Sequence, residues 1–264
     1  MSNYKFSVFV KPWKGKPLPE IAAHIKSLGF DGIELPVRAG FDVTPENCAA
    51  ELPRVAALLA DHGLRIYSVA AEPTDSLIRT LGSLANKPLI RDMAKIEATE
   101  TYLEGEARYR ARYRALLPVL AGEGVAIGVQ HHASRFVTNA SGLRRLVEDF
   151  DPSLIGAVWD PAHCALAGEI PDLAADLLWS HLKMINLKNA IWRMVTGPEA
   201  EEVRWNRYWT SGRMGIASWS DVATVLRQRG YRGVLTICAE YADELSVDRL
   251  IAEDIVFARR VFQF

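Results

Sequence analysis

Four oxygen-bearing side chains, Gln130, Asp160, Asn186 and Glu240, each stand at or near the end of a short apolar run: "GVAIGVQ", "LIGAVWD", "LKMIN" and "GVLTICAE". Carboxylate and amide oxygens suit a hard divalent ion such as Mg²⁺ or Mn²⁺, whereas zinc prefers nitrogen or sulfur. Asp160 opens the stretch "DPAH", for which two readings stand side by side. It is a chemical pair with His163, or a turn in which an aspartate before proline caps a helix. Glu34 closes a further strand-like run, "DGIEL", and His131, His132 and His163 lie beside these ends. There an imidazole can exchange a proton near neutral pH. His24 and His62 fall in helix-period segments and read as structural. Amides at strand ends often serve loop backbone instead, an alternative that stays open for Gln130 and Asn186.

Such groups meet only if the runs that carry them are neighbouring strands ending on one face. Apolar β-rich runs and helix-period segments do alternate along the chain. "FSVFV", "DGIEL", "LRIYSVAA", a weaker "PLIRDMAKIEA", "GVAIGVQ", "LIGAVW", "LKMINLK" and "GVLTICAEY" read as strands one to eight. Between them, Ile21, Ile25 and Leu28 share a helical face that stops at Gly29. A second helix is expected from Thr44 as N-cap to Gly63, with Pro53 indicating a late start or a kink. A long helix spans Glu104 to Gly122, and Ser218 caps "SWSDVATVLRQRG". The arginines Arg108, Arg110, Arg112 and Arg114 read as a solvated helix face.

Eight strand–helix units joined by right-handed crossovers favour closure into a single-domain (β/α)₈ barrel, with an open doubly wound sheet as the alternative. The first strand runs into "KPWKGKP", which lacks the glycines of a dinucleotide fingerprint, so no nucleotide cofactor is expected. In a barrel, chemistry gathers at the C-terminal strand ends, where the oxygen-bearing groups stand. One segment breaks the spacing: Ala190 to Gly215, a long connection rich in Trp and Arg. It reads either as a cover over the mouth, through Trp192, Trp205, Tyr208 and Trp209, or as an oligomer interface.

The 264 residues are 49% hydrophobic and 24% charged, with a formal net charge of −1, which argues against general affinity for nucleic acid or anionic membranes. No apolar run reaches membrane-spanning length, and no signal peptide is expected from "MSNYKFSVFVKPW". Cys48, Cys164 and Cys238 are odd in number and far apart, as expected of buried reduced thiols in a cytoplasmic protein.

Taken together, "GFDGIEL", "GVAIGVQHH", "GAVWDPAHCALAGE", "LKMINLKN" and "GRMGIASWSDVATVLRQRGYRGVLTICAEY" resemble the xylose isomerase-like barrels over nearly the whole chain. That group includes sugar and sugar-phosphate isomerases and epimerases, inosose dehydratase and related enzymes. The resemblance implies a divalent metal held by a glutamate, an aspartate, a histidine and a glutamate on strands five to eight. It also implies that the histidine after the aspartate contacts a substrate hydroxyl or moves a proton. Asp160 and Glu240 match that set, and His163 matches the histidine. Gln130 stands where the first glutamate is usual, Asn186 where the histidine is usual, and Lys188-Asn189 where a Lys-Asp pair is usual. Fewer charges weaken the expected site. Gln130 also cannot accept a proton, so the two-base chemistry of the epimerases is disfavoured.

The leading expectation is a metal-assisted isomerase or lyase acting on a small polyhydroxylated carbonyl compound through an enediolate. Glu240 or a histidine would be the base, and His132, Lys188, Arg193 and Glu34 would bind substrate. The alternative is a metal-free, catalytically degenerate barrel that holds a sugar-like ligand. The DNA-repair endonucleases that share this barrel fit poorly, for want of a histidine cluster and a basic face.

Overall fold

Strand-like runs separated by helices must bury both faces, and here they do so by closing on themselves. The computed structural model describes residues 4–262. In chain order the elements begin β1 (Lys5–Phe9), α1 (Leu18–Ser27), β2 (Gly32–Pro36), α2 (Cys48–Asp61), β3 (Arg65–Ala70), α3 (Asp75–Ser83), β4 (Leu89–Met93), α4 (Tyr102–Glu123) and β5 (Ile127–Gln130). They continue with α5 (Ala140–Val147), β6 (Ile155–Trp159), α6 (Pro161–Leu166), α7 (Pro171–Leu178) and β7 (Leu182–Leu187). Last come β8 (Asn189–Met194), β9 (Trp205–Thr210), α8 (Trp219–Gln228), β10 (Val234–Cys238) and α9 (Val247–Phe262). The barrel closes in the order β1-β10-β7-β6-β5-β4-β3-β2, every pair parallel, and β8 and β9 form a separate antiparallel pair. This is the expected (β/α)₈ barrel, with β10 as its eighth strand.

The hydrophobic core lies mainly between barrel and helices. Ile33, Val69, Ile90, Val129, Trp159, Ile185 and Ile237 belong to one buried cluster with helix residues such as Leu52, Leu81, Tyr113 and Ile255. A smaller cluster holds only Phe9, Ala70 and Cys238. Barrels of this kind are usually filled by branched apolar side chains. Here the lumen carries instead a run of buried polar groups: Ser68, Glu34, Arg91, Gln130 and Asp160. Deeper in, Gly128 leaves no room for a side chain, since a Cβ there would lie 2.7 Å from Val158 Cγ2 and 2.9 Å from Leu89 Cδ2.

Several helix boundaries have local causes that differ from the expected ones. α2 begins at Cys48 rather than beside Thr44, because Asn47 Oδ1 accepts the Thr44 amide and closes a turn first; Pro53 lies inside the helix. α4 begins at Tyr102, where Thr101 and Glu104 form a reciprocal capping box. Ser218 caps α8 by accepting from the Asp221 amide, as expected. The arginines of α4 are engaged in surface ion pairs, Arg108 with Glu100 and Arg112 with Glu72 among them. The three cysteines are free and buried. Among the described residues no helix is long and apolar enough to cross a membrane.

The long connection expected after strand seven is a hairpin. β7 ends at Leu187 and β8 starts at Asn189, so the chain leaves the barrel through Lys188 and returns along β9. Asn189 fastens its base: Nδ2 donates to the carbonyls of Gly212 (2.9 Å) and Ala217 (2.7 Å), while Oδ1 accepts the amides of Ala190 and Ala217. Asp254 of α9 accepts the Gly212 amide with both oxygens. Across the mouth, Arg207 donates to Ser134 Oγ at 2.9 Å, and the Trp209 carbonyl accepts from the Ala242 amide. The segment therefore reaches over the strand ends, as one of its two expected roles requires. Trp192, Met194 and Trp205 stay about half exposed, which leaves the interface role open.

Candidate active site

The strands β5, β6, β7 and β10 bring Gln130, Asp160, Lys188 and Glu240 to the same end of the barrel. Asp160 follows β6 and does two things at once. Its Oδ1 caps α6, accepting from the amides of Ala162 (3.1 Å) and His163 (3.2 Å). Its Oδ2 accepts from Gln130 Nε2 at 2.7 Å and faces Lys188 Nζ at 3.4 Å. Both readings of the "DPAH" stretch thus hold together. Gln130 Oε1 in turn accepts from Arg91 Nη1 at 2.6 Å, and Arg91 Nε donates to Glu34 Oε1 at 2.6 Å. Ser68 Oγ completes the chain on Glu34 Oε1 at 3.1 Å. The orientation of the Gln130 amide follows from its partners: guanidinium can only donate and carboxylate can only accept, so oxygen faces Arg91 and nitrogen faces Asp160.

Lys188 is buried, with the Trp209 ring 4.7 Å from its Nζ. Burial alone would lower its pKa, but the Asp160 and Glu240 carboxylates raise it, so the ammonium is charged. Glu240 follows β10 and is hydrogen-bonded by Lys11 Nζ. Burial would raise its carboxyl; Lys188, Lys11 and Arg91 outweigh that and hold it at about 2. The histidines are pushed the other way. Burial first, then the Lys188 charge, depress His132 to about 4 and His163 well below the usual imidazole range. The Ala133 amide donates to His163 Nδ1 at 3.1 Å, so the proton of the neutral ring sits on Nε2. That Nε2 is buried without a partner, 3.8 Å from Asp160 Oδ2. His131 is bound to the Asp160 carbonyl and to Cys164 and supports the loop.

Two cavities flank the hairpin strand β9. One, of about 720 Å³, is lined by Lys11, His132, Lys188, Arg207, Trp209 and Glu240 among others. The other, of about 670 Å³, lies between His163, Ser134, Trp192, Trp205, Arg207 and Trp209. His132, Lys188, Glu240 and His163 therefore line space that a small molecule can occupy. Glu34 does not: it is fully buried beneath the opening and spent on Arg91 and Ser68. Arg193 stacks over Tyr208 on the hairpin and lines neither cavity. Asn186 is fully buried on β7, two residues before Lys188, and neither atom of its amide has a hydrogen-bond partner. Sequence reasoning missed Arg91, Lys11 and Arg207. For Arg91 a signal existed, a guanidinium inside the strand run "LIRDM" that is otherwise buried.

The donor set does not fit a divalent ion as it stands. The Gln130 oxygen faces Arg91, and Asp160 accepts three hydrogen bonds and faces the Lys188 ammonium. Glu240 is held by an ammonium. Among the described residues no group of three or more His, Cys, Asp or Glu side chains is disposed to hold a metal.

Comparison with known proteins gives a consistent picture of the fold. Over 123 residues, 45% of this chain, the sequence is 24% identical to inosose dehydratase 2 of Bacillus cereus. That match spans 41% of the relative, less than half its length. The structure superposes on D-psicose 3-epimerase with D-tagatose from Clostridium cellulolyticum H10 with a TM-score of 0.71, at 16% identity, covering 98% of this chain and 100% of the other. It superposes equally on a xylose isomerase-like TIM barrel protein from Mycobacterium smegmatis in complex with magnesium, with a TM-score of 0.71, 14% identity, and 99% and 98% of the two chains covered. The family model described as xylose isomerase-like TIM barrel matches residues 22–261, and the chain belongs to that family.

Proposed function

We propose that this barrel binds a small polyhydroxylated carbonyl compound, of the sugar or inosose type, and removes the proton from the carbon beside the carbonyl. The observation that carries this reading is the company in the mouth: an ionised Glu240, a charged Lys188 and the neutral His132 border one cavity of about 720 Å³, roofed by Trp209. An enediolate needs a base on carbon and positive density on oxygen. Glu240 supplies the base. Substrate that displaces the Lys11 ammonium from it, and excludes water, raises its basicity. Lys188 supplies the donor toward the carbonyl oxygen, while His163 borders the second cavity. Trp209 offers an apolar face to the C–H side of a sugar ring.

The chemistry is one-sided. Gln130 cannot take or return a proton, so inversion through two opposed bases is not available. Elimination fits better: the carbon proton goes to Glu240, the adjacent hydroxyl leaves as water with a proton from Lys11, and an enol of a diketone or keto acid remains. The likeness to an inosose dehydratase supports a lyase over an epimerase. The alternative, a binding protein without turnover, is favoured by the inward pairing of Asp160 and Gln130.

The test is solvent exchange. Ketoses, inososes and keto-sugar acids incubated with the enzyme in D₂O should show deuterium at the carbon beside the carbonyl, or an ultraviolet-absorbing enone. Glu240→Gln should abolish both. Saturable binding of these compounds with neither exchange nor product would leave the non-catalytic reading in force.

A further inference from the structure

The geometry points to a barrel mouth whose carboxylates are already taken by its own cations, Asp160 facing Lys188 and Glu240 bound by Lys11, and the protein does not use a divalent ion there. The inference concerns the same mouth as the proposed enolisation but does not depend on it, because its readout is ion binding rather than turnover.

Each of the four expected ligands is answerable from its partners. Gln130 would have to turn its oxygen toward the ion. That rotation sets its NH₂ against the Arg91 guanidinium and its oxygen against the Asp160 carboxylate, breaking two bonds of 2.6 and 2.7 Å and creating two repulsive contacts. Asp160 would have to release Lys188, and its Oδ1 remains committed to the first turn of α6. Glu240 is bound by Lys11. Only the Asn186 amide is uncommitted, and one neutral oxygen does not hold a hard cation that takes six or more oxygen ligands.

Charge agrees with geometry. The carboxylates of Glu34, Asp160 and Glu240 are matched by Arg91, Lys188 and Lys11. A divalent ion would enter a region whose charges are already matched, whereas the affinity of such sites comes from uncompensated negative charge. Lys188 also has what a stable resident needs: a carboxylate 3.4 Å away and the Trp209 face at 4.7 Å. An ammonium brings one charge and up to three donors. It can polarise a carbonyl by hydrogen bonding without a metal, and the affinity of the site for its ligand is then indifferent to chelators.

Mn²⁺ is the probe. Titration of the intact protein, followed by the electron paramagnetic resonance of free Mn²⁺, should show no binding at millimolar metal. In ¹⁵N-lysine-labelled protein the buried Lys188 ammonium, paired with Asp160, should be slow to exchange, and Mn²⁺ should not broaden its resonance. The double variant Gln130→Glu/Lys188→Met gives Asp160 a second carboxylate and an open space, and it should bind Mn²⁺ at least tenfold more tightly than the wild type. Stoichiometric Mn²⁺ binding by the wild type, lost in Asp160→Asn, or broadening of the Lys188 signal by Mn²⁺, would overturn the inference. So would a folded double variant with no gain in Mn²⁺ affinity. Should that variant not fold, the wild-type titration and the ammonium resonance still decide the matter.

Discussion

Replacing Arg91 with Met removes a guanidinium that is only 4% exposed and makes two hydrogen bonds of 2.6 Å, to Glu34 and to Gln130. What remains is a buried Glu34 carboxylate whose Oε1 keeps only Ser68 and whose Oε2 has no partner in the intact protein either. Breaking one side of a buried ion pair costs about 3–5 kcal/mol, and the orphaned Gln130 oxygen adds about 1 kcal/mol. The sum, roughly 5 kcal/mol, compares with a total domain stability of about 5–15 kcal/mol. Arg91→Met should therefore be close to unfolded at 37 °C. Urea unfolding followed by circular dichroism reads this directly, provided the slope against urea is unchanged. The informative control is Arg91→Met/Glu34→Met. Because the cost is an uncompensated charge rather than a lost attraction, removing both ions should restore stability to within about 2 kcal/mol of the wild type. A single variant costing under about 1 kcal/mol, or a double variant as poor as the sum of its singles, would refute the account of the lumen as a matched ion network.

Three further outcomes follow from individual contacts. Asn189→Asp restores the usual Lys-Asp pair but sets a carboxylate against the Gly212 and Ala217 carbonyls; it should cost roughly 3 kcal/mol and expose the amides of residues 189–217 to hydrogen exchange. His163 should remain neutral, with its proton on Nε2, in ¹⁵N-histidine spectra at pH 5.5, and an imidazolium pattern there would contradict the tautomer assigned to it. Asp254 is raised by burial to about 6, above its ordinary value of 3.8, so the folded state holds a proton that the unfolded state releases between those values. Its contribution therefore falls as pH rises through that window, by at most about 1.4 kcal/mol per pH unit. Asp254→Asn should gain stability relative to wild type between pH 4.5 and 7, and parallel profiles would rule the effect out.

The strands were legible because each is a short β-branched run bounded by turn residues, and burial on both faces makes such runs continuous rather than alternating. The hairpin was not, since "NAIWRM" and "WNRYWT" pair with each other outside the barrel and are only partly buried, which leaves no apolar periodicity to read. In the site, residue types at strand ends were readable, and Gln130, Asp160 and Lys188 do come into contact at the same barrel end as Glu240. Their partners were not. Whether the Gln130 amide meets a metal or Arg91 depends on the stagger of β4 against β5, which pairs Met93 with Gln130 and leaves Arg91 one inward step below. Glu34 misled for the same reason: a carboxylate at a strand end looks alike from sequence whether it faces the cavity or a guanidinium beneath it.

The tolerance of this barrel for a polar lumen explains why its departures from the usual ligand set are coupled rather than scattered. Most of the buried apolar side chains lie in the shell between strands and helices, and the lumen holds few, among them Phe9, Ala70 and Cys238. Charges can therefore accumulate inside, but only in matched sets, because each unmatched one costs several kcal/mol. An amide at position 130 suits a carboxylate at 160 on one side and a guanidinium at 91 on the other, while the lysine at 188, which is the usual residue there, faces Asp160. Reverting one member alone does not recover a metal centre. Gln130→Glu by itself sets two carboxylates about 2.7 Å apart while Lys188 and Arg91 remain as counter-ions, so the protein should bind the new charge internally, with no gain in Mn²⁺ affinity. A strong Mn²⁺ site in that single variant would mean that the ammonium yields readily, and that the matched set is not what governs this opening.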